Sequence, residues 1–324
     1  MTVLTWRVVP TVVVSMILGA ATGCANEAAH RTPPNTMPSA AVSDSATPVV
    51  DASSTSPSPA PCSDDPPPTN TATSTGSAVE ATVLKQSGPS SQWNIALPDS
   101  TADRVPELGR TELPDDFDTA FNRAYDQAGA FTYGGMVLQL HLANPTGKKI
   151  TVFDLRPVNM RMVCMPTGLL VVYGSEGGDF IGMTMNLEAS RPVAHERSPD
   201  DGNVSTEPYF GSHTIALAPG ESQDVDLDIT VAKRAYTFDL ALGYVTDGGK
   251  HTQLIRRGGQ PFRAMASMCP STANRATLSA SDAQRLRSQH FDKILARTGA
   301  LDENGKFTVS RATTEEYLRK CDTW

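Results

Sequence analysis

The chain has 324 residues, of which 39% are hydrophobic, and a formal net charge of −8 at pH 7. This length is sufficient for one sizeable core and for further segments outside it. A moderately acidic protein repels phosphate backbones, so we expect no nucleic-acid partner.

The N-terminus has the pattern of an export signal. Arg7 precedes an apolar run over residues 8–21, which is too short to span a membrane as a helix. The run closes on the sequence ATGC, which ends at Cys24 and resembles the lipobox of bacterial lipoproteins. We predict a lipoprotein signal peptide over residues 1–24 and a membrane anchor through lipid on Cys24. The alternative is ordinary cleavage near Ala21 and secretion, because a lipobox usually has Leu at that position.

Residues 25–90 have a different composition. They hold 11 of the 24 prolines, amid Ser, Thr and Ala and with almost no aromatic residue. Such a segment cannot bury enough apolar surface to offset the conformational entropy lost on ordering. We therefore predict a disordered tether between the anchor and the folded part.

One helix is predicted ahead of the main run of strands. Residues 114–116, PDD, are suited to begin it, and Gly129 is suited to end it. Its apolar residues recur at helical spacing and share one face. They are Phe117, Phe121, Ala124, Tyr125 and Ala128.

The stretch 136–162 predicts the first two strands of a sheet. Apolar and polar residues alternate over 136–143, which indicates a strand with one buried face. Residues 144–147, NPTG, are typical of a type I turn. We expect a hairpin to a return strand that begins at Ile150, with Pro157 at an edge or a bend.

Further alternating segments follow at regular spacing. Their bounds are 168–173, 181–187, 215–217, 225–231, 236–244, 252–255 and 262–265. About eight short strands with Gly and Pro turns predict a mainly β fold. The specific prediction is an antiparallel, immunoglobulin-like β-sandwich over residues 91–269.

Residues 270–324 predict a C-terminal helical extension of the sandwich. Ser279 or Ser281 is placed to cap a helix that runs to about Arg297. A second, shorter helix is expected over residues 314–321.

The five cysteines indicate disulfides. If Cys24 carries lipid, an even set is left in an oxidising compartment, namely Cys62, Cys164, Cys269 and Cys321. These four allow three pairings, and all three stay open. We favour Cys269 with Cys321, which would fasten the C-terminal segment to the last strand. No Cys or His spacing suggests zinc, and we expect no cofactor.

Two acidic segments are candidates for calcium sites. Asp224, Asp226 and Asp228 lie on one face of a predicted strand, where neighbours are about 7 Å apart. This is too far for them to share one ion unless a loop such as 200–201 joins them. The segment 302–305, DENG, lacks the acidic first and twelfth ligands of a calcium loop. We interpret the first as a solvated strand face and the second as a turn.

Catalytic motifs are incomplete. His195 and Glu196 lack the second His of HExxH, and Ser175 is not in a GxSxG motif. His141 and Asp154 could be cross-strand neighbours and form part of a triad with a serine, but such composition arises easily by chance.

A small basic patch is a further candidate. Arg256 and Arg257, with Lys233 and Arg234, could bind an anionic wall polymer or lipid headgroups. Charges at hairpin ends are common, so a solvated surface is the alternative.

The order of several segments resembles a group of uncharacterised, envelope-anchored proteins of actinobacteria. The segments are FDTAFNRAYDQAGA, a strand pair that ends in DLRP, GSEGGDF, PYFGSHTIALAPGESQDVDLDI and GGQPFR, between residues 117 and 263. Members often have extra cysteines where this chain has Ser175, Glu176 and Ala235, so their disulfides do not carry over. The resemblance implies a β-sandwich and an envelope location, and no activity.

We predict a cell-surface lipoprotein that acts as a non-catalytic binding or interaction module, with an envelope protein or polymer as its partner. The alternatives are an extracytoplasmic hydrolase that acts on an envelope substrate and a purely structural envelope protein. A hydrolase would bring His and carboxylate side chains together in a deep pocket.

Overall fold

The computed structural model describes residues 69–89, 92–111, 116–173, 182–198, 203–247, 249–301, 303 and 307–321. This part of the chain is mainly β-structure, in two mixed sheets. The signal peptide with Cys24 and the first part of the tether lie outside the described residues. No helix in the described ranges is long and apolar enough to cross a membrane.

Within the described ranges, the first sheet has six strands. In spatial order they are β1 (Glu80–Ser87), β4 (Met136–Ala143), β11 (Ser222–Thr230), β7 (Gly182–Asn186), β8 (His195–Arg197) and β9 (Val204–Pro208). The predicted alternation in β4 is confirmed, because Leu138, Leu140 and Leu142 are fully buried and the residues between them are half-buried.

The second sheet has ten strands among the described residues. In spatial order they are β10 (Ile215–Leu217), β5 (Ile150–Val163), β12 (Ala235–Thr246), β14 (Phe262–Met265), β3 (Phe131–Tyr133), β2 (Trp93–Leu97), β6 (Leu169–Tyr173), β15 (Lys293–Leu301) and β16 (Phe307–Ala312), with β13 (Gly249–Ile255) also paired to β12. Pairs β14–β3, β15–β6 and, in the first sheet, β11–β7 are parallel. The purely antiparallel prediction is therefore wrong. The partners of each parallel pair are far apart in the chain and are joined by long crossovers rather than by turns.

β4 and β5 do not form the predicted hairpin. β4 pairs with β1 and β11, whereas β5 pairs with β10 and β12, so the turn after β4 carries the chain from one sheet to the other. Asn144 Nδ2 stabilises this crossing by donating to Lys148 O at 2.8 Å and to Leu217 O at 2.9 Å. Pro157 lies within β5, which pairs there with β12 on one side.

The main core lies between the two sheets. Leu140 of β4 and Leu227 of β11 belong to the same apolar cluster as Leu155 of β5 and Leu242 of β12. The described residues therefore form a sandwich, because each sheet buries its apolar face against the other.

Six helices flank the sheets in the described ranges. They are α1 (Asp99–Ala102), α2 (Phe117–Gln127), α3 (Tyr209–Ser212), α4 (Thr272–Thr277), α5 (Ala280–Arg287) and α6 (Thr314–Cys321), and Pro106–Gly109 forms a 3₁₀ turn. The predicted helix α2 is confirmed. The Asp116 carboxylate caps it by accepting from Thr119 N at 3.1 Å, and Phe121 and Tyr125 pack with residues of β2, β6 and β15.

The tether prediction is wrong at its C-terminal end. Residues 80–87 form β1 and pair with β4, although they lie within the predicted segment 25–90. β1 is an edge strand with few apolar residues, so the overall composition of residues 25–90 does not reveal it.

The predicted helix to Arg297 is also wrong beyond Arg287. Residues 293–301 form β15, in which Ile294 packs toward α6 and Leu295 packs toward α2. A strand that is buried on both faces has consecutive apolar residues. A short run of this kind shows neither the period of a strand nor that of a helix, so the sequence pattern does not distinguish the two.

Cys269 and Cys321 are joined by a disulfide, with their Cα atoms 5.2 Å apart. The bond attaches α6 to the segment after β14. Cys164 is also disulfide-bonded. Cys62 lies outside the described residues.

Candidate functional site

An open cleft of about 290 Å³ lies at the C-terminal end of α2. It is bordered by α1, by the end of α2, by the loop before β14 and by β14 itself. Its lining residues are Thr101, Arg104, Asp126, Gln127, Ala128, Gly129, Gln260 and Arg263. We call it the arginine cleft.

Arg263 is the least compensated charge in the arginine cleft. It is half-buried in β14, between the buried residues Phe262 and Ala264. Burial lowers the pKa of Arg263 below its ordinary value, because desolvation disfavours the cation, but a guanidinium stays charged at neutral pH. No carboxylate among the described residues pairs with it. Its charge is therefore available to a ligand.

Arg104 lies at the rim of the arginine cleft. Its Nη1 donates to Gln127 O at 3.1 Å, at the last residue of α2. A cation is favourable there because the carbonyl end of a helix carries partial negative charge. The rest of the exposed guanidinium faces solvent, so Arg104 can supply a second cationic contact.

The one carboxylate among the described lining residues is neutralised by a neighbour. Arg257 Nε donates to Asp126 Oδ1 at 2.8 Å, and its Nη2 donates to Asn122 Oδ1 at 2.7 Å. The same guanidinium lies 5.2 Å from the centre of the Tyr125 ring. The arginine cleft is therefore net positive, with Arg104 and Arg263 unopposed by acidic side chains in the described structure.

A small inner cavity of about 10 Å³ adjoins the arginine cleft, and Gln260 and Arg263 line both. Tyr125 and Gln86 line it as well, and neither the Tyr125 hydroxyl nor Gln86 Oε1 has a hydrogen-bond partner among the described residues. Both side chains are only 3% exposed. Burial raises the pKa of Tyr125 far above its ordinary value, so its hydroxyl stays protonated.

Comparisons with known proteins return nothing for this chain. No family model, no curated protein and no solved structure matches it. The resemblance to actinobacterial envelope proteins stays a prediction, and the arginine cleft is interpreted from its own geometry.

In the described structure, two carboxylates of the aspartate row on β11 contact side chains of other strands in the same sheet. Asp224 Oδ1 lies 2.7 Å from His141 Nδ1, and Asp228 Oδ2 accepts from Arg197 Nη1 at 3.1 Å. Burial raises the pKa of Asp226, and repulsion from Asp224 raises it further. Within the described ranges, no three His, Cys, Asp or Glu side chains are placed to hold an ion together.

His141 and Asp154 are not neighbours across a strand pair, so the triad hypothesis is wrong. His141 lies in the first sheet, on β4, whereas Asp154 lies in the second, on β5, where its carboxylate is 3.4 Å from Arg156. The hypothesis assumed the β4–β5 hairpin. Because the turn carries the chain between sheets, the strand opposite His141 is β11 and its partner is Asp224.

Two arginines of the predicted basic patch are paired with carboxylates. Arg256 forms a bidentate pair with Asp239, and Arg257 is paired with Asp126. Lys233 and Arg234 lie in a turn whose backbone N–H groups donate to the Glu188 carboxylate.

The remaining candidates are His195, Ser175 and the segment 302–305. His195 lies on β8, with its Nδ1 within 3.0 Å of Ser205 O and 3.2 Å of Glu207 O. Ser175 lies outside the described residues, as does most of the segment 302–305, of which Glu303 is in a turn.

Sequence reasoning missed the residues of the arginine cleft. The sequence contained one signal of this site. Arg263 is a charged residue within a short apolar strand, and a charge at such a position usually has a partner or a function. Gln86 was missed because it lay in the predicted tether. Tyr125 was assigned to the apolar face of α2, and nothing in that pattern shows where its hydroxyl points.

Proposed function

We propose that this protein is a non-catalytic binding module of the bacterial cell envelope, and that its arginine cleft binds an anionic group of an envelope molecule. The observation that carries the proposal is Arg263, a half-buried guanidinium that faces an open cleft without an acidic partner in the described structure.

The chemistry of the lining supports an anionic ligand. A guanidinium presents several N–H donors in a plane, which match the oxygens of a carboxylate or phosphate. Partial burial strengthens the attraction, because fewer water molecules screen the charge. Arg104 at the rim adds a second cation that an entering anion meets first.

A binding role is also supported by what the lining side chains can do chemically. Thr101, Gln127 and Gln260 supply hydrogen-bonding groups, and Asp126 is held by Arg257. Catalysis of hydrolysis requires a nucleophile with an adjacent base, or an acid and base pair. The described lining is suited instead to holding charge.

The location in the proposal depends on the N-terminal sequence. We also propose that the sandwich is of the immunoglobulin-like type. The lipobox-like ending at Cys24 and the Pro-rich segment after it support a lipid anchor with a tether. Metabolic labelling with a fatty-acid analogue is expected to mark the wild type and to miss Cys24→Ser. Equal labelling of both proteins would remove the anchor.

Ligand binding can be tested by calorimetry on the purified chain at low ionic strength, with inorganic phosphate and acetate as separate probes. We expect saturable binding of at least one probe and a loss of about 10-fold or more in affinity for Arg263→Gln, since hydrogen bonds to charged groups have roughly this effect. Arg110→Gln is the matched control, because Arg110 is exposed and outside the described lining. Absence of saturable binding, or equal losses in both variants, contradicts the proposal.

A further inference from the structure

Two residues that line the inner cavity, Tyr125 and Gln86, have side-chain hydrogen-bonding groups of opposite kinds without a partner among the described residues. The Tyr125 hydroxyl donates, and Gln86 Oε1 accepts. Both are buried and unpartnered in the described structure, and leaving such atoms unpaired is costly. A group that accepts from one and donates to the other satisfies both, and a hydroxyl does so through one oxygen.

The size of the inner cavity limits its occupant. Its volume of about 10 Å³ is close to the space that one water molecule needs. A carboxylate or phosphate is too large for it. Any anionic group must therefore bind in the wider arginine cleft, while a single oxygen can enter the inner cavity.

Arg263 connects the two spaces. It lines both cavities, so an anion bound to Arg263 in the arginine cleft lies beside the inner cavity. Gln260 also lines both and has an exposed side chain at the boundary. One ligand can therefore reach both spaces if its hydroxyl is a few bonds from its anionic group.

We infer that the ligand is a hydroxylated oxyanion, which is a carboxylate or phosphate ester with a hydroxyl on a nearby carbon, as in sugar acids and polyol phosphates. The inference depends on the proposed function, since it specifies the ligand class of the same cleft. The hydroxyl enters the inner cavity and bonds to Tyr125 and Gln86, and the oxyanion binds Arg263 and Arg104.

The test compares matched ligands that differ in their hydroxyl groups. Calorimetry on the purified chain uses glycerol 3-phosphate against n-propyl phosphate, and glycerate against propionate. We expect the hydroxylated member of at least one pair to bind about 10-fold more tightly, the effect of a hydrogen bond to otherwise unpaired buried groups. The pair that shows the preference distinguishes a phosphate ester from a carboxylate.

Variants separate the hydroxyl contact from a structural role. Tyr125→Phe keeps the ring and removes the donor, so it is expected to abolish the preference while propyl phosphate or propionate binds as before. Gln86→Met removes the acceptor and is expected to do the same, and it provides the test if Tyr125→Phe is not folded. Tyr133→Phe is the control, because the Tyr133 hydroxyl accepts from Met268 N at 2.8 Å and is outside the described lining of both cavities.

The outcomes distinguish the two proposals. If anions bind but hydroxylated and deoxy ligands bind equally, the inner cavity holds only water and this inference is wrong while the proposed function stands. If the preference survives in both cavity variants, the hydroxyl binds elsewhere and the inference is again wrong. If no anion binds, the proposed function fails and this inference fails with it.

Discussion

The Asp239 carboxylate is buried and bidentate to Arg256, with Oδ1 2.8 Å from Nε and Oδ2 2.7 Å from Nη2. Asn159 Nδ2 also donates to Asp239 Oδ2, at 2.8 Å. The same side-chain amide accepts from Ala72 N and donates to Ala72 O. Asn159 has a positive φ of 51°, which a non-glycine residue adopts when its side chain is held locally. The ion pair therefore also positions the segment that precedes β1.

The two partners of this ion pair should differ in their effect on stability. Arg256→Ala leaves a buried carboxylate without its cation and is expected to cost about 2 to 4 kcal/mol. Asp239→Asn leaves an arginine that is 43% exposed and can be hydrated, so we expect a smaller cost, of about 1 to 2 kcal/mol. Urea denaturation of both variants measures the difference. A larger loss for Asp239→Asn would show that the carboxylate is stabilised mainly by its other contacts.

The disulfide between Cys269 and Cys321 should stabilise the C-terminal segment. It closes a loop with a sequence separation of 52, for which the chain-entropy estimate is about 4 kcal/mol. The double variant Cys269→Ser, Cys321→Ser is expected to unfold at lower denaturant and to be cleaved sooner by protease in the region around residues 270–292. Substitution is preferable to a reducing agent, because Cys164 is also in a disulfide. Unchanged protease resistance would show that packing alone holds α6.

Truncation along β4 should follow a period of two. Leu140 is fully buried between the sheets, and Leu140→Ala is expected to cost about 2 to 5 kcal/mol through lost burial and a cavity. Gln139 lies on the other face, and Gln139→Ala should change stability by roughly 0.5 kcal/mol or less. Denaturation midpoints for single variants at positions 138–142 test this, and losses that do not alternate would contradict the strand.

The aspartate row on β11 predicts a pH-dependent effect. Since the folded-state pKa of Asp226 is raised, its carboxylate destabilises the folded state above that pKa, and the penalty disappears as the pH falls through it. Asp226→Asn should therefore raise the free energy of unfolding slightly at pH 7, by roughly 0.5 kcal/mol or less at this partly exposed site, and should have no effect at pH 3.

The comparison variant for this effect is Asp224→Asn. Asp224 contacts His141 at 2.7 Å, so its neutralisation is expected to give no gain at pH 7. Thermal melts of both variants at pH 3 and pH 7 provide the measurement. An equal gain in stability for both variants at pH 7 would mean that the effect comes from the total negative charge of the strand, and not from the position of Asp226.

The amino-acid sequence by itself determined the elements whose pattern is local. The alternation in β4 and the apolar face of α2 both follow from short-range spacing, because one buried face imposes a period of 2 or 3.6 on the side chains. The mainly β class follows from the repeated short strands. The favoured Cys269 and Cys321 pair depended on an argument about connectivity, and the structure joins these two residues.

Only the tertiary structure decided which elements pair and which side chains meet. The turn at Asn144 has the residues of a hairpin, yet it carries the chain from β4 to β5 in the other sheet. There Asn144 Nδ2 donates to the Leu217 carbonyl of distant β10, a contact that the local sequence does not reveal. β15 is a strand because both of its faces find apolar partners, in α2 and in α6. The arginine cleft and the inner cavity beside it bring together residues from β1, α2 and β14, and such convergence depends on long-range packing that no local period encodes.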